Sequence, residues 1–455
     1  MQYSAMFVCR LAIANYKSLR DVVLEPKDLT VLIGANASGK SNLAECIDFI
    51  SEVYRHGLEV AVARKGGYEN IAHRKASRSK ASMTVDITVE FALDPYWMPH
   101  GLAALIRDKT IRLQHSFSFV ARGSAISAEF QVERELLIVQ MAGGGSKYVD
   151  LIQLVRDDQK ITNKIIRDDE AMRAFDWIKE PDMLRYLIRF PDFDQDSTGM
   201  GELVSPTDLA VVQIGRFSPL HRQCVNEMAA IRVFQISHDR TRDFGVPTPR
   251  PELDRTGANL PAVVDLFQKK NPEVWQRILQ TMRRVLPALE RIEVNYTTSR
   301  TLGLFFHEKG FGRPWTVEEI SDGTIQTLCL LVAIFDPTRT MLVLEELENS
   351  VHPWVIRNLL SACSEATAGG MKPQQILITT HSPVIIDHVT PDKVWVMWRT
   401  DGESHVKKLN ELDPSITALW ESGEVATFEL IDSGTVSEAI PPKSAANADR
   451  EQEKP

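Results

Sequence analysis

The sequence predicts an α/β fold: a mixed, largely parallel sheet with flanking helices, an antiparallel β subdomain and an α-helical insertion. Three observations carry this. Leu29–Ile33, Met341–Leu344 and Ile376–Thr380 are short apolar runs with the length of buried strands. Helical patterns lie between such runs, one of them with apolar residues at Leu43, Cys46, Ile47, Ile50 and Val53, another over Ile325–Phe335. A glycine-containing turn, Gly34–Ser41, joins the first run to the first helix. Strands alternating with helices favour a parallel sheet, because each crossover needs a helix to return the chain.

Taken in order, Phe7–Asn15 and Asp21–Leu24 have strand content, and Met83–Leu93 alternates through Val85, Ile87, Val89 and Phe91 as a half-buried strand does. His115–Arg122 and Ser127–Glu133 form a further strand pair around Gly123. From Tyr148 to Phe190 the pattern reads as helical and strongly charged, without a sustained heptad. Pro191–Thr207, rich in Asp, Gly, Ser and Pro, reads as a loop. Helices follow at Leu260–Lys269 and Pro272–Val285, then strands at Ile292–Tyr296 and Leu302–His307. The expected organisation is a first lobe over 1–95, an insertion over 96–210 suited to recognising a partner or trigger, a second lobe over 211–400, a C-terminal extension over 401–440 and a disordered tail over 441–455.

Composition excludes more than it assigns. A hydrophobic fraction of 44% with 25% charged residues is that of an ordinary globular protein. Leu328–Phe335, the longest clean apolar run, is too short to span a bilayer. Five scattered cysteines without metal-ligand spacing, and no export signal, are expected as reduced thiols in a cytoplasmic protein. The formal net charge of −9 argues against nucleic-acid binding by the molecule as a whole. One run is locally basic, with Arg64, Lys65, His73, Arg74, Lys75, Arg78 and Lys80 against Glu69; it is either a phosphate-contacting surface or a solvated loop.

Gly34–Ser41 reads Gly-Ala-Asn-Ala-Ser-Gly-Lys-Ser, which fits the phosphate-loop pattern without departure. Backbone N–H groups of such a loop turn inward around an anion, and the helix that follows adds its positive end. Gly34, Asn36, Ser38, Gly39, Lys40, Ser41 and Asn42 are the expected nucleotide contacts, Lys40 at the β- and γ-phosphates and Ser41 on Mg²⁺. ATP with Mg²⁺ is the expected cofactor. At the end of the Met341–Leu344 run stand two carboxylates. Glu345 suits Mg²⁺ binding through water, and Glu346 suits orienting or deprotonating the attacking water. Ser321-Asp-Gly323-Thr324 precedes the apolar helix; such a segment caps a helix, and the same geometry offers a hydroxyl and N–H groups to an anion. His381 closes the Ile376–Thr380 run at the same expected sheet edge, where it suits γ-phosphate contact.

In that order, these blocks resemble the ABC-type ATPase heads of the RecF, SMC and OLD group. Ile13-Ala-Asn-Tyr-Lys-Ser18 is similar to the segment that precedes the phosphate loop in those heads. Gly34–Ser41 then corresponds to Walker A, Met341–Glu346 to Walker B, Ser321–Thr324 to the signature, Glu348–Pro353 to the D-loop and His381 to the switch histidine. Leu344–Pro353 and Asp254-Arg-Thr-Gly-Ala-Asn-Leu260 resemble phrases of the OLD-like AAA ATPases. The resemblance implies ATP sandwiched between two protomers in a homodimer or higher oligomer, with Ser321 and the N–H of Gly323 meeting the γ-phosphate in trans. Three departures stand out: Glu345 in place of aspartate, Asp322 in place of a signature glycine, and no assignable Q-loop glutamine.

Full-length OLD proteins carry a Toprim nuclease, whereas the 74 residues after His381 contain no Asp-x-Asp pair. The expectation is a stand-alone ATPase without nuclease activity, controlling a separate effector, a nuclease or toxin, in bacterial anti-phage defence. A DNA or phage-derived trigger belongs to that setting, and no membrane does. A RecF-like DNA-repair ATPase and a non-hydrolysing ATP clamp are the competing readings.

Overall fold

The computed structural model describes residues 6–73, 83–93, 110–122, 129–142, 148–157, 160–165, 204–214, 219–368, 374–422 and 426–432. The first strands are β1 (Met6–Tyr16), β2 (Leu19–Leu24) and β3 (Leu29–Ile33), followed by helices α1 (Lys40–His56) and α2 (Leu58–Arg64). Next come β4 (Val85–Leu93), β5 (Thr110–Arg122), β6 (Glu129–Ala142), β7 (Tyr148–Asp157) and β8 (Lys160–Ile165). Helices α3 (Ala210–Ile214) and α4 (Pro219–Ala229) lead to β9 (Arg232–Phe234), and α5 (Leu260–Lys270) and α6 (Pro272–Val285) to β10 (Leu289–Tyr296), β11 (Leu302–Glu308) and β12 (Trp315–Thr316). Then come α7 (Asp322–Ile334), β13 (Met341–Glu345), α8 (Pro353–Ala368), β14 (Gln375–Thr379), β15 (Val394–Thr400) and β16 (Glu403–Lys408).

These strands form one 13-stranded mixed sheet, in the order β8-β7-β6-β5-β4-β1-β2-β16-β15-β3-β14-β13-β9, and a small antiparallel sheet, β10-β11-β12. In one half, β15, β3, β14, β13 and β9 run alike as parallel neighbours, and β16 adds a parallel bridge to β2. The other half, from β1 through β8, is an antiparallel wing.

The parallel half is covered on both faces. In β13, Met341 and Val343 enter one core with α1 and α4, while Leu342 and Leu344 enter the other with α5 to α8. Alternate residues of a strand point to opposite faces, so both parities must be apolar, and the run reads as uninterrupted hydrophobicity. At 0–2% exposure, each such side chain contributes about 2 kcal/mol of burial.

The wing departs from the sequence reading. The described part of the Tyr148–Phe190 stretch is not helical: β7 and β8 are strands that extend the sheet beyond β6. An edge such as β6 presents unpaired N–H and C=O groups, and pairing them outweighs a weak helical pattern. Leu154 is fully buried as a result, and buried Arg156 donates to the carbonyls of Asp208 (2.5 Å) and Ser205 (3.3 Å). The remainder of the helical stretch, and the tail 441–455, lie outside the described residues. A second difference concerns the boundary expected at 400. The β15–β16 hairpin lies inside the sheet, with β15 on β3 and β16 on β2.

A buried polar link ties α1 to the wing. Tyr54 and His115 Nδ1 are 2.5 Å apart, and His115 Nε2 lies 3.2 Å from Glu135 Oε1. The Glu135 carboxylate accepts the N–H groups of Ala210 and Val211 at 2.6 and 2.8 Å. All five cysteines are free thiols, four of them buried. No described helix is long and apolar enough to cross a membrane.

Candidate active site

Because β3, β14 and β13 are parallel neighbours, their C-terminal ends share one edge of the sheet. Glu345 pairs in register with Thr379, and Thr380 N–H donates to Leu32 O at 3.1 Å. His381 is therefore held between the end of β3, where Gly34 begins the loop, and the end of β13, where Glu346 begins its turn.

The loop is shaped by its glycines and by its neighbours. Gly39 has φ 115°, and a Cβ there would fall 2.2 Å from Ser404 Oγ. Gly34 has φ 152°, and a Cβ there would meet Met397 O at 1.9 Å. Both positions exclude a side chain twice over, by backbone angle and by space. Ser404 Oγ lies 2.7 Å from Ser38 O and from Ser18 Oγ, and Asn42 Nδ2 donates to Ser18 Oγ at 2.7 Å. Asn42, expected at the nucleotide, thus supports the loop from behind. Asn36 and Ser41 are exposed, and the buried Ser38 Oγ makes no hydrogen bond among the described residues.

Lys40 folds back over its own loop, its Nζ donating to Gly34 O at 2.8 Å and Ala35 O at 3.1 Å. Burial lowers its proton affinity to about 8, against the opposing charges of Glu346 and Glu348. An ammonium held at this level regains its proton when phosphates arrive. ATP affinity is therefore expected to be flat below pH 8 and to fall above it by up to about tenfold per pH unit, since binding then requires proton uptake. Titrations with a non-hydrolysable analogue between pH 7 and 9.5 check this, and Lys40→Arg is expected to flatten the profile.

Glu345, 5% exposed, closes β13. Burial raises its carboxyl above the usual range, and Arg255, 2.5 Å from Oε1, pulls it back. Glu346 follows in the left-handed region at φ 49°. Its N–H donates to Thr379 O (3.0 Å) and Oγ1 (3.1 Å), and its Oε2 accepts from Asn349 at 2.6 Å. Such a backbone costs about 1 kcal/mol or more in a residue other than glycine and persists where neighbours enforce it. Glu348 accepts from Thr380 Oγ1 at 2.9 Å and from the His381 N–H at 2.5 Å, so the turn after β13 fixes the histidine. Burial and the Lys40 charge both lower the His381 imidazole below its ordinary range, leaving it neutral at pH 7.

The Ser321–Thr324 segment sits on the same side of the sheet. Helix α7 precedes β13 through a short connection and touches the Leu347–Ser350 turn, which puts its N-terminus at the strand's C-terminal end. Ser321 caps it, accepting from Thr324 N–H at 3.3 Å. Ser321 is exposed, and open space surrounds Gly323. The charge of Asp322 is not free: Arg242 donates to Oδ1 from Nε (3.0 Å) and Nη2 (2.5 Å) and lowers its carboxyl. Among charged groups, Glu346 and Glu348 act on Lys40 and Lys40 acts on His381, whereas Arg242 and His238 act on Asp322. Ser321 thus stands on the same rim, in different company from the loop.

Sequence reasoning missed Ser404, Arg242 and Arg255, and gave Glu348 only as the first residue of the D-loop segment, with no contact to the histidine. Of the three missed residues only Arg255 carried a signal, as part of the Asp254–Leu260 phrase. Arg74, Lys75, Arg78 and Lys80 of the basic run lie outside the described residues, while Arg64 and Lys65 pair with Glu52 and Asp48. Gln114 lies on β5 opposite Glu90, in the wing.

Comparison with protein families gives two matches. Residues 157–387 match "AAA domain, putative AbiEii toxin, Type IV TA system", and residues 6–182 match "AAA ATPase domain". The first spans half of the chain. The chain belongs to the AAA ATPase family. Gly34–Ser41 falls within the second match and Glu345 and Glu346 within the first, and the fold of this AAA ATPase brings the two segments together from β3 and β13. Comparison with curated proteins gives no match. Among solved structures, this AAA ATPase is similar to an SmcHead bound to the C-winged helix domain of ScpA, at 11% identity and TM-score 0.45 over 88% of this chain and 97% of that one. It is also similar to the SMC head domain from Thermotoga maritima, at 13% identity and TM-score 0.35 over 88% and 98%.

Proposed function

We propose that this AAA ATPase binds ATP with Mg²⁺ on Gly34–Ser41 and hydrolyses it at composite sites, each completed by Ser321 and Gly323 of a second copy. The observation that carries this is the meeting of Lys40, Glu346, Glu348 and His381 at one strand edge, with a capped and exposed Ser321 elsewhere on the same rim. Within one protomer Lys40 has one set of neighbours and the signature another, which suits a site shared between copies.

The donor set fits Mg²⁺. Ser41 offers an exposed hydroxyl and Glu345 a buried carboxylate, and phosphate-bound Mg²⁺ needs few protein ligands beside water and phosphate oxygens. When bound, Mg²⁺ neutralises charge on the β- and γ-phosphate oxygens. Glu346 then orients or deprotonates the attacking water, and neutral His381 contacts the γ-phosphate. Because Arg242 pairs Asp322, the signature aspartate adds little repulsion toward that phosphate.

Closing and opening of the dimer controls a separate effector, a nuclease or toxin, in bacterial anti-phage defence. The family's description as a putative toxin of a type IV toxin–antitoxin system supports a defence setting. The test uses Glu346→Gln protein purified with ATP from its own host, with mass spectrometry of what accompanies it. A stoichiometric second protein that leaves when ATP is removed is expected. A homogeneous ATPase with no companion contradicts the effector reading.

A further inference from the structure

We propose that Arg255 is a positioning residue for the metal site, holding the Glu345 carboxylate in one orientation and tying it to the helix that carries Ser41. The inference rests on the reading that Ser41 and Glu345 serve Mg²⁺. Arg255 Nη2 donates to Glu345 Oε1 at 2.5 Å, and its Nη1 lies 3.4 Å from Asp48 Oδ2. Asp48 is on α1, seven residues after Ser41, and two turns of helix bring both to the same face. Lys65 holds the same oxygen, Asp48 Oδ2, at 2.8 Å. One guanidinium therefore spans the two elements from which the metal ligands come.

Arg255 is itself anchored by main chain. Gln235 N–H donates to Arg255 O and Ser237 N–H to Thr256 O, both at 3.0 Å, which lays this segment beside the end of β9. The turn closes at Gly257, whose N–H donates to Asp254 O at 2.9 Å and whose φ is 92°. The Glu345 side chain is 3% exposed and that of Arg255 34%, so the carboxylate is fixed and the cation reaches in from the rim. A glutamate has one more rotatable bond than the aspartate usual at this position. A planar fork with one tine on Glu345 and one on Asp48 removes that freedom in a way an ammonium cannot. No described group hydrogen-bonds Glu345 Oε2, which leaves one oxygen for a metal-bound water.

The test is binding of a non-hydrolysable ATP analogue with Mg²⁺ and with EDTA, which requires no turnover. The ratio of the two affinities is the Mg²⁺ enhancement. Arg255→Gln is expected to cut it about tenfold, the scale of losses when partners of metal ligands are removed. Affinity in EDTA is expected to stay within about twofold, because the phosphate loop is untouched. Arg255→Lys is expected to fall between, and Asp48→Asn, which weakens the tether and the Lys65 pair but leaves the Arg255–Glu345 contact, to lose about threefold. A merely structural ion pair would lower the unfolding midpoint and both affinities together. An Arg255→Gln enhancement equal to or larger than that of the wild type overturns the proposal. Absence of any enhancement in the wild-type protein would instead remove the underlying reading of Ser41 and Glu345, and this proposal with it.

Discussion

Replacing Lys40 with alanine is expected to weaken ATP binding by roughly a hundredfold or more, since a charged partner of the phosphates is lost from a largely buried site. The thermal midpoint is expected to move little, and the reason is a balance of opposing terms. The substitution deletes hydrogen bonds from Nζ to Gly34 O and Ala35 O, charge-assisted contacts that contribute about 1.5–3 kcal/mol each. It also removes an ammonium whose burial has already lowered its proton affinity to about 8. In the free protein these effects largely offset one another. With nucleotide bound nothing offsets the loss. Calorimetric titration with the analogue, beside thermal unfolding of the free protein, separates the two. A large fall in midpoint with unchanged affinity would mean that Lys40 serves the loop rather than the ligand.

The second large effect is expected from Glu346→Gln. Removing a general base typically costs about 100- to 10,000-fold in rate, and the variant is expected to lose turnover on that scale while keeping ATP affinity. Its turn should survive. The N–H bonds to Thr379 O and Oγ1 come from the backbone. Asn349, which donates to the Glu346 carboxylate, has an amide oxygen to donate to in the variant. A hydrolysis-deficient protein that still binds ATP should accumulate as a closed dimer, visible by sedimentation in the presence of Mg²⁺ and ATP. Turnover equal to wild type would assign the chemistry elsewhere and favour a clamp that never used Glu346.

How legible this site was depends on how local each signal is. Gly34–Ser41 could be read directly because its angular and spatial demands are met by residue type within eight positions. Glu345, Glu346 and His381 could be placed because uninterrupted apolar runs end at them, and a run buried on both faces belongs to a parallel sheet. Helix Pro272–Val285 has the same limits in the fold as in the sequence pattern. The wing was hidden for the opposite reason: Tyr148–Asp157 is a strand only because β6 lies beside it, and pairing partners leave no trace in a periodicity. The supporting groups were hidden likewise. Ser404 reaches the loop across 366 positions to Ser38, and Arg242 neutralises Asp322 across 80. Asp322 stood out from the sequence only as a charged residue in place of a signature glycine, and the folded chain supplies its partner, Arg242. Ser321 was legible as a cap and remains one; what the cap meets belongs to assembly.

The claim that a nucleotide is shared between two copies is tested most directly by mixing two inactive proteins. Lys40→Ala leaves Ser321 intact, and Ser321→Arg leaves Lys40 intact, so each alone lacks a complete site. In a mixed dimer, Lys40 of one protomer meets Ser321 of its partner at one of the two seams. An equal mixture is therefore expected to recover about a quarter of wild-type ATPase activity, since half of randomly formed symmetric dimers are mixed and each holds one intact site. No recovery in a mixture shown to exchange subunits would mean that Lys40 and Ser321 act within a single chain, or not together at all.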